Sequence, residues 1–310
     1  MPEEEYVWLP REDILHFEEI VRLAGVFTTV GVGRVRITGG EPLLRRDLPT
    51  LIGQLATLGG IDDLALTTNG ILLSDLAPAL KAAGLHRITV SLDTLRPDRF
   101  RDLTRSNELP RVLAGIDAAR THFAQLKIDS VIVRGTNEDE LLTLLDYARS
   151  IGAEVRFIEY MDVGGATRWS PARVVPRAEM LQVIAAARGT VTPIVDGSWA
   201  PADRFALPDG GVFGIISSTT EPFCRTCDRS RVTADGLWFR CLYARDGTDL
   251  RALLRSGASN EEIRNVIAST WMLREDRGAE LRAAERERTP FIPVSRLRRD
   301  PHLEMHTRGG

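Results

Sequence analysis

The stretch Val35-Arg36-Ile37-Thr38-Gly39-Gly40-Glu41-Pro42 reads as a short β-branched strand that stops on a glycine turn. Glycine there permits positive φ and lets a ligand approach the backbone closely, although a Gly-Gly turn alone is also an ordinary structural feature. Working outward, Leu64 to Thr68, Arg87 to Leu92, Lys127 to Val133 and Glu154 to Glu159 are further strand-like runs. Helical periodicity fills Arg11 to Ala24, Leu73 to Ala83, Pro110 to Arg120 and Glu138 to Ile151. In the last of these, Leu141, Leu144, Leu145 and Ala148 fall on one face and Gly152 is a natural stop. Alternating strands and helices predict an α/β fold, a parallel sheet with right-handed crossovers. Periodicity does not choose between a curled barrel and an open doubly wound sheet. In both, ligands bind at the C-terminal strand ends, where Thr38 to Pro42, Thr67 to Gly70, Ser91 to Asp93 and Glu159 to Met161 gather.

A chain of 310 residues with 43% hydrophobic residues can bury the core of one barrel-sized domain plus an appended module. The formal charge of −3 provides no global basic field, so nucleic acid is not an expected partner and any phosphate site must be local. No apolar run approaches the length of a membrane span, and Met1-Pro2-Glu3-Glu4-Glu5 is acidic where a signal peptide is basic. No membrane partner is expected, and the expected location is cytoplasmic. The three cysteines, odd in number and confined to one segment, argue against a disulfide framework.

From about Gly164 the grammar changes: a Pro- and Gly-containing stretch to Pro208, an apolar strand Val212 to Ser217, then the cysteine segment. Asp235-Gly236, between Arg231-Val232-Thr233 and Leu237-Trp238-Phe239, reads as a hairpin turn that would carry Cys241 back toward Cys224 and Cys227. Helices are expected at Leu250 to Leu254 and Glu261 to Leu273. The Arg- and Glu-rich tail that ends in Gly309-Gly310 reads as solvated and poorly ordered.

Cys224-x2-Cys227-x13-Cys241 carries the strongest chemical signal, because soft thiolates select zinc or iron-sulfur clusters. A structural zinc site would need a fourth ligand, and His16, His86, His122, His302 and His306 are all remote in sequence. Three unpaired buried thiols are another ordinary reading. A cubane with three protein thiolates and one open iron fits the count without a fourth cysteine. On a strand, Arg229 and Arg231 would share a face and could offer two guanidinium forks to one anion; the alternative is a solvated strand face. Arg36 and Lys127 lie in strands of a parallel sheet, where a cation is costly unless paired or pointed into a polar lumen. Met161 alone would read as core.

Together, Arg36-Ile37-Thr38-Gly39-Gly40-Glu41-Pro42-Leu43-Leu44-Arg45, Thr67-Thr68-Asn69-Gly70, Val90-Ser91-Leu92-Asp93, Arg156-Phe157-Ile158-Glu159-Tyr160-Met161 and Cys224-x2-Cys227-Asp228-Arg229-Ser230-Arg231 with Cys241 occur in the order seen in the GTP 3′,8-cyclase family, which the whole chain resembles. Gly-Gly-Glu-Pro alone marks radical S-adenosylmethionine enzymes generally; the cysteine segment and the terminal Gly309-Gly310 narrow the resemblance.

The resemblance implies an incomplete (β/α) barrel over 1–162, its first strand and cluster loop missing, and a C-terminal iron-sulfur module over 163–310 that closes the open side. It implies S-adenosylmethionine contacts at Gly40, Ser91 and Met161, and GTP contacts at Arg36, Thr67, Lys127, Arg229, Ser230 and Arg231. An auxiliary 4Fe-4S cluster would sit on Cys224, Cys227 and Cys241, its free iron on the guanine. The implied reaction is a lyase step of molybdenum cofactor biosynthesis: radical conversion of GTP to 3′,8-cyclo-7,8-dihydro-GTP, passed to a downstream cyclic pyranopterin monophosphate synthase. No side chain is assigned as acid, base or nucleophile, the electron donor is left unnamed, and a homodimer is compatible with the resemblance. The family's Cys-x3-Cys-x2-Cys, which holds a second, radical-generating cluster, is absent from these 310 residues. Met1 to Pro10 resembles the segment directly C-terminal to that motif, so a start assigned too late is the expectation. The rivals are a non-catalytic GTP-binding iron-sulfur remnant and a peptide-modifying radical enzyme, the latter opposed by Arg229-Ser230-Arg231 and the terminal glycines.

Overall fold

A computed structural model of the chain describes residues 7–164, 168–195, 200–285 and 287–309. The five expected strands are β1 (Arg34–Ile37), β2 (Asp63–Thr68), β3 (Arg87–Ser91), β4 (Leu126–Ile132) and β5 (Glu154–Glu159), each ending within a residue of its reading from sequence. They alternate with α1 (Phe17–Thr28), α2 (Leu48–Ala56), α3 (Leu73–Ala82), α4 (Pro97–Thr104), α5 (Leu109–His122) and α6 (Leu141–Ser150). The stretch to Pro208 is more regular than its composition suggests. It holds α7 (Arg177–Arg188), β6 (Thr192–Ile194) and β7 (Asp203–Ala206), and is followed by β8 (Val212–Ile216).

Among the described residues these strands form one eight-stranded sheet in the order β1-β2-β3-β4-β5-β8-β7-β6. Pairing is parallel from β1 through β8 and antiparallel for β7 and β6. Burial along β4 alternates residue by residue, so Leu126, Ile128, Ser130 and Ile132 face the helices and Lys127 and Asp129 face the other side. Leu64, Leu66, Ile88, Val90, Val155, Phe157, Phe213 and Ile215 continue the apolar face into the main core. The sheet is an α/β partial barrel with a polar inner face.

Helix α1 departs from expectation. Only a 3-10 turn covers Arg11–Asp13, and the α-helix starts at Phe17 with a His16/Glu19 capping box and runs past Ala24. The interruption has a cause in packing: Leu15 is buried in a second core, and its amide donates to the Ala234 carbonyl at 2.8 Å.

That second core joins α1 to the C-terminal module. Leu15, Leu23, Val26 and Phe27 pack against Trp238, Leu250, Leu254, Ile263 and Ile267. The module comprises β9 (Arg231–Val232), β10 (Leu237–Phe239), β11 (Thr248–Asp249), α8 (Leu250–Arg255), α9 (Asn260–Met272) and α10 (Gly278–Ala283). The Asp235-Gly236 hairpin forms, pairing Phe239 with Arg231. Gly236 has φ of 90°, and a Cβ there would fall 2.8 Å from that of Arg251, so no other residue fits the turn without a shift.

The tail is the main correction. Instead of lying in solvent, it forms α11 (Val294–Leu297) and α12 (Met305–Arg308), and Ile292, Leu297 and Leu303 make a small core of their own. Three of its arginines are covered by aromatic rings: Arg282 over Phe291 at 5.2 Å, Arg288 over Trp169 at 4.9 Å and Arg308 over Phe239 at 4.2 Å. The Asp162 carboxylate, just past β5, accepts hydrogen bonds from Tyr243 at 3.0 Å and from Arg282 at 2.9 and 2.6 Å. His302 lies 2.8 Å from Asp235 and 3.0 Å from Asp300; the Asp235 hydrogen bond raises its pKa.

Candidate functional site

The inner face of the sheet concentrates charge. By strand alternation it carries Arg36 on β1, Asp63 and Thr67 on β2, Arg87 and Thr89 on β3, Lys127 and Asp129 on β4, and Glu154 and Arg156 on β5. Arg36 donates to the Thr67 hydroxyl at 2.8 Å and to the Thr89 hydroxyl at 3.1 Å. Lys127 lies 3.7 Å from Glu154, which also takes Arg156 at 3.0 Å and Arg204 at 3.1 Å. Cations outnumber carboxylates here. Burial, helped by Arg156, Arg87 and Arg204 against the pull of Glu154, pushes the Lys127 ammonium down to about 8. Burial likewise lowers Arg36, with Arg87 and Arg156 acting in the same direction. Asp129 is raised by burial, and one of its carboxylate oxygens is buried without a hydrogen-bond partner. Such a face is set up to receive an anion.

The strand ends are tied together by two carboxylates, one half-buried and one fully buried. Glu41, of the glycine turn, accepts from the Leu43 amide at 2.9 Å, the Thr68 hydroxyl at 2.8 Å and the Asn69 amide at 2.8 Å, so the end of β1 is locked to the end of β2. Glu159, fully buried at the end of β5, takes the Arg177, Thr219 and Thr220 amides and the Thr220 hydroxyl. Ser91 is exposed at the end of β3, opposite Asp129 in register, and Met161 is half-buried just past β5. The tail lies over these ends. A Cβ on Gly40 would be 3.6 Å from the His306 Cβ; one on Gly309, whose φ is 75°, would meet the Thr38 methyl at 2.4 Å. Gly310 lies outside the described residues.

The cysteine segment meets this face at β1, where Asp228 pairs with Arg34, two positions from Arg36 on the same strand side. All three thiols are free and half-buried. Cys224 and Cys227 line a concavity of about 350 Å³, and Cys241 lines an adjoining one of about 370 Å³; Glu275, Asp276 and Arg277 border both. Burial raises the Cys224 thiol. At Cys227 burial also works against the thiolate but is outweighed by the Arg229 amide and by the Arg229 and Arg274 guanidiniums, leaving that thiol lowered. Among the described residues no three His, Cys, Asp or Glu side chains converge as ligands of a single metal ion must. A cluster spreads its ligands over separate irons, and this all-sulfur set beside two cavities suits that wider demand.

Strand β9 is shorter than expected, which leaves Arg229 and Ser230 outside it. Arg229 stacks over Phe223 at 4.9 Å, while burial and Arg229 push Arg231 down to about 10. Arg36 and Thr67 are thus in direct contact with each other, Lys127 is on the same face, and Arg231 is close enough to feel both Cys227 and Cys241. Asp129 and Thr89 carry no signal of their own in the sequence, although counting two residues on from Lys127 and two back from Ser91 finds both on the same face, and Arg156 stands there only as the first residue of a motif.

Comparison with known proteins gives a consistent picture. A family described as the Radical SAM superfamily matches residues 5–148, and one described as Molybdenum Cofactor Synthesis C matches residues 153–280. The chain is 55% identical over 315 residues to GTP 3′,8-cyclase 1 of Mycobacterium tuberculosis, covering 100% of this chain and 88% of that protein. It is 54% identical to GTP 3′,8-cyclase 3 of Mycobacterium bovis, over 100% of this chain and 83% of that one. With the GTP 3′,8-cyclase of Xanthomonas axonopodis the identity is 45%, over 96% and 86%.

Proposed function

The chain belongs to the GTP 3′,8-cyclase family of radical S-adenosylmethionine enzymes, which serves molybdenum cofactor biosynthesis, and from that premise we propose how its residues divide the work. Arg36, Thr67 and Lys127 on the inner face, with Arg229, Ser230 and Arg231 from the cysteine segment, bind GTP. Gly40, Ser91 and Met161 at the strand ends bind S-adenosylmethionine. Cys224, Cys227 and Cys241 hold a 4Fe-4S cluster, which when bound supplies an open Lewis-acidic iron for the guanine. The product passes to a cyclic pyranopterin monophosphate synthase, and Gly309 brings the tail to the mouth of the barrel beside Thr38.

The observation that carries this reading is the Arg34–Asp228 pair, which holds the segment after Cys227 against the strand that presents Arg36. An anion on the inner face and a base at the thiols can therefore belong to one molecule. Each group then has a physical role. Arg36, open on the inner face, and half-buried Arg231 neutralise phosphate oxygens that water would otherwise solvate. Lys127, whose ammonium burial pushes down to about 8, is held more firmly in its charged form once the polyanion arrives. The Glu41 and Glu159 locks fix strand ends in advance, so binding requires little reorganisation. The family's other cysteine motif is not among these 310 residues, and the work assigned to them is binding and orientation.

Anaerobic reconstitution with iron and sulfide tests the cysteine assignment. The chain should take up four irons per polypeptide, and the Cys224→Ser/Cys227→Ser/Cys241→Ser variant should take up none. Stoichiometric zinc with no iron would overturn it.

A further inference from the structure

Arg308 is packed like a core residue, only 3% exposed. Its Nε donates to the His302 carbonyl at 2.6 Å and its Nη1 to the Leu242 carbonyl at 2.8 Å, while the guanidinium lies 4.2 Å over the Phe239 ring. Phe239 pairs with Arg231 across the hairpin and Leu242 is the residue after Cys241, so this cation is wedged against the strand end that carries the third thiol. The remaining nitrogen, Nη2, is buried with no hydrogen-bond partner. Leaving such a donor orphaned costs about 1–3 kcal/mol. Burial disfavours the Arg308 charge, while Cys241, Asp246 and Asp300 favour it, and Asp300 already accepts from His302. Docking of the tail fixes the position: Met305 meets Gly164, His306 meets Gly40 and Gly309 meets Thr38.

We propose that Arg308 is a positioning residue for the iron-sulfur cluster assigned above to Cys224, Cys227 and Cys241: its free Nη2 supplies a hydrogen bond and a positive charge to the anionic thiolate cluster. The inference rests on that assignment. A cation beside the cluster stabilises the reduced, more negative state and so raises its potential, and hydrogen bonds to the sulfurs act in the same direction. Arg231 does so from the other strand of the hairpin. The C-terminal tail thereby contributes to the redox properties of a cluster whose ligands all lie more than sixty residues earlier.

Potentiometric titration of the reconstituted chain, followed by electron paramagnetic resonance, tests this with Arg308→Gln and Arg308→Lys. Arg308→Gln should lower the midpoint potential by about 59 mV, a tenfold shift in the one-electron equilibrium. Arg308→Lys, which keeps the charge and loses the fork, should recover at least half of that shift; equal losses in both would contradict a charge effect. A parent chain that loads no iron overturns the cluster assignment and this inference with it. A loaded parent and Arg308→Gln with the same potential overturn this inference alone, and unchanged potential with weakened GTP binding would reassign Arg308 to the nucleotide.

Discussion

Replacing Arg229 and Arg231 together with alanine is expected to weaken GTP binding to the reconstituted chain by a hundredfold or more. In the proposed site each guanidinium would make charge-assisted hydrogen bonds worth about 1.5–3 kcal/mol, so losing two removes roughly 3–6 kcal/mol, and every 1.4 kcal/mol is about tenfold in affinity. Arg231 contributes the larger share: it is deeply placed, its proton affinity already lowered by burial and by Arg229, so an incoming phosphate relieves a cation held at some cost. Arg229, stacked on Phe223, is pre-positioned. Calorimetric titration of GTP measures the loss, and S-adenosylmethionine affinity should change little because Gly40, Ser91 and Met161 lie at other strand ends. Both arginines also act on the Cys227 thiolate, so iron content must be measured in parallel. Full iron with unchanged GTP affinity would remove these residues from the nucleotide site.

Glu159→Ala is expected to cost about 3–5 kcal/mol of stability, because it leaves several hydrogen-bond donors without their acceptor at about 1–3 kcal/mol for each one that stays buried. The side chain is completely buried and accepts from the Arg177 amide at 2.8 Å, the Thr219 amide at 2.9 Å, the Thr220 amide at 2.8 Å and the Thr220 hydroxyl at 2.5 Å. Alanine would remove the acceptor from all four donors, the amide of buried Thr219 most completely. Because Glu159 joins the end of β5 to the loop after β8 and to the start of α7, the loss should appear as a lower urea midpoint with little change in slope. A shift below about 1 kcal/mol would mean that these groups find other partners and that Glu159 is not the lock.

The main strands were legible because each is a β-branched or apolar run stopped by a turn, and the pattern survives without any tertiary information. Helices α2 and α4 were less so: both are short, with a proline in the first turn that reads equally as loop punctuation. β6, three residues long with Pro193 in its centre, is an edge strand that only its pairing with β7 defines. The tail misled by composition. Arg282, Arg288 and Arg308 count as solvated charge in a sequence, yet each has an aromatic face or a carboxylate far away in the chain. At the site, motif resemblance named Arg36, Thr67 and Lys127, while Asp129 and Thr89 needed the period of two. The meeting of Asp228 with Arg34 is a contact across 194 positions that no local pattern encodes.

Titrating GTP into the reduced, reconstituted chain while recording its electron paramagnetic resonance spectrum tests whether one GTP bridges the inner face and the thiol segment. The cluster signal should change shape and saturate at one GTP per chain, and should no longer respond in the Arg229→Ala/Arg231→Ala variant at the same nucleotide concentration. A cluster spectrum that stays the same while calorimetry registers tight GTP binding would contradict it, because the nucleotide would then lie away from Cys224, Cys227 and Cys241.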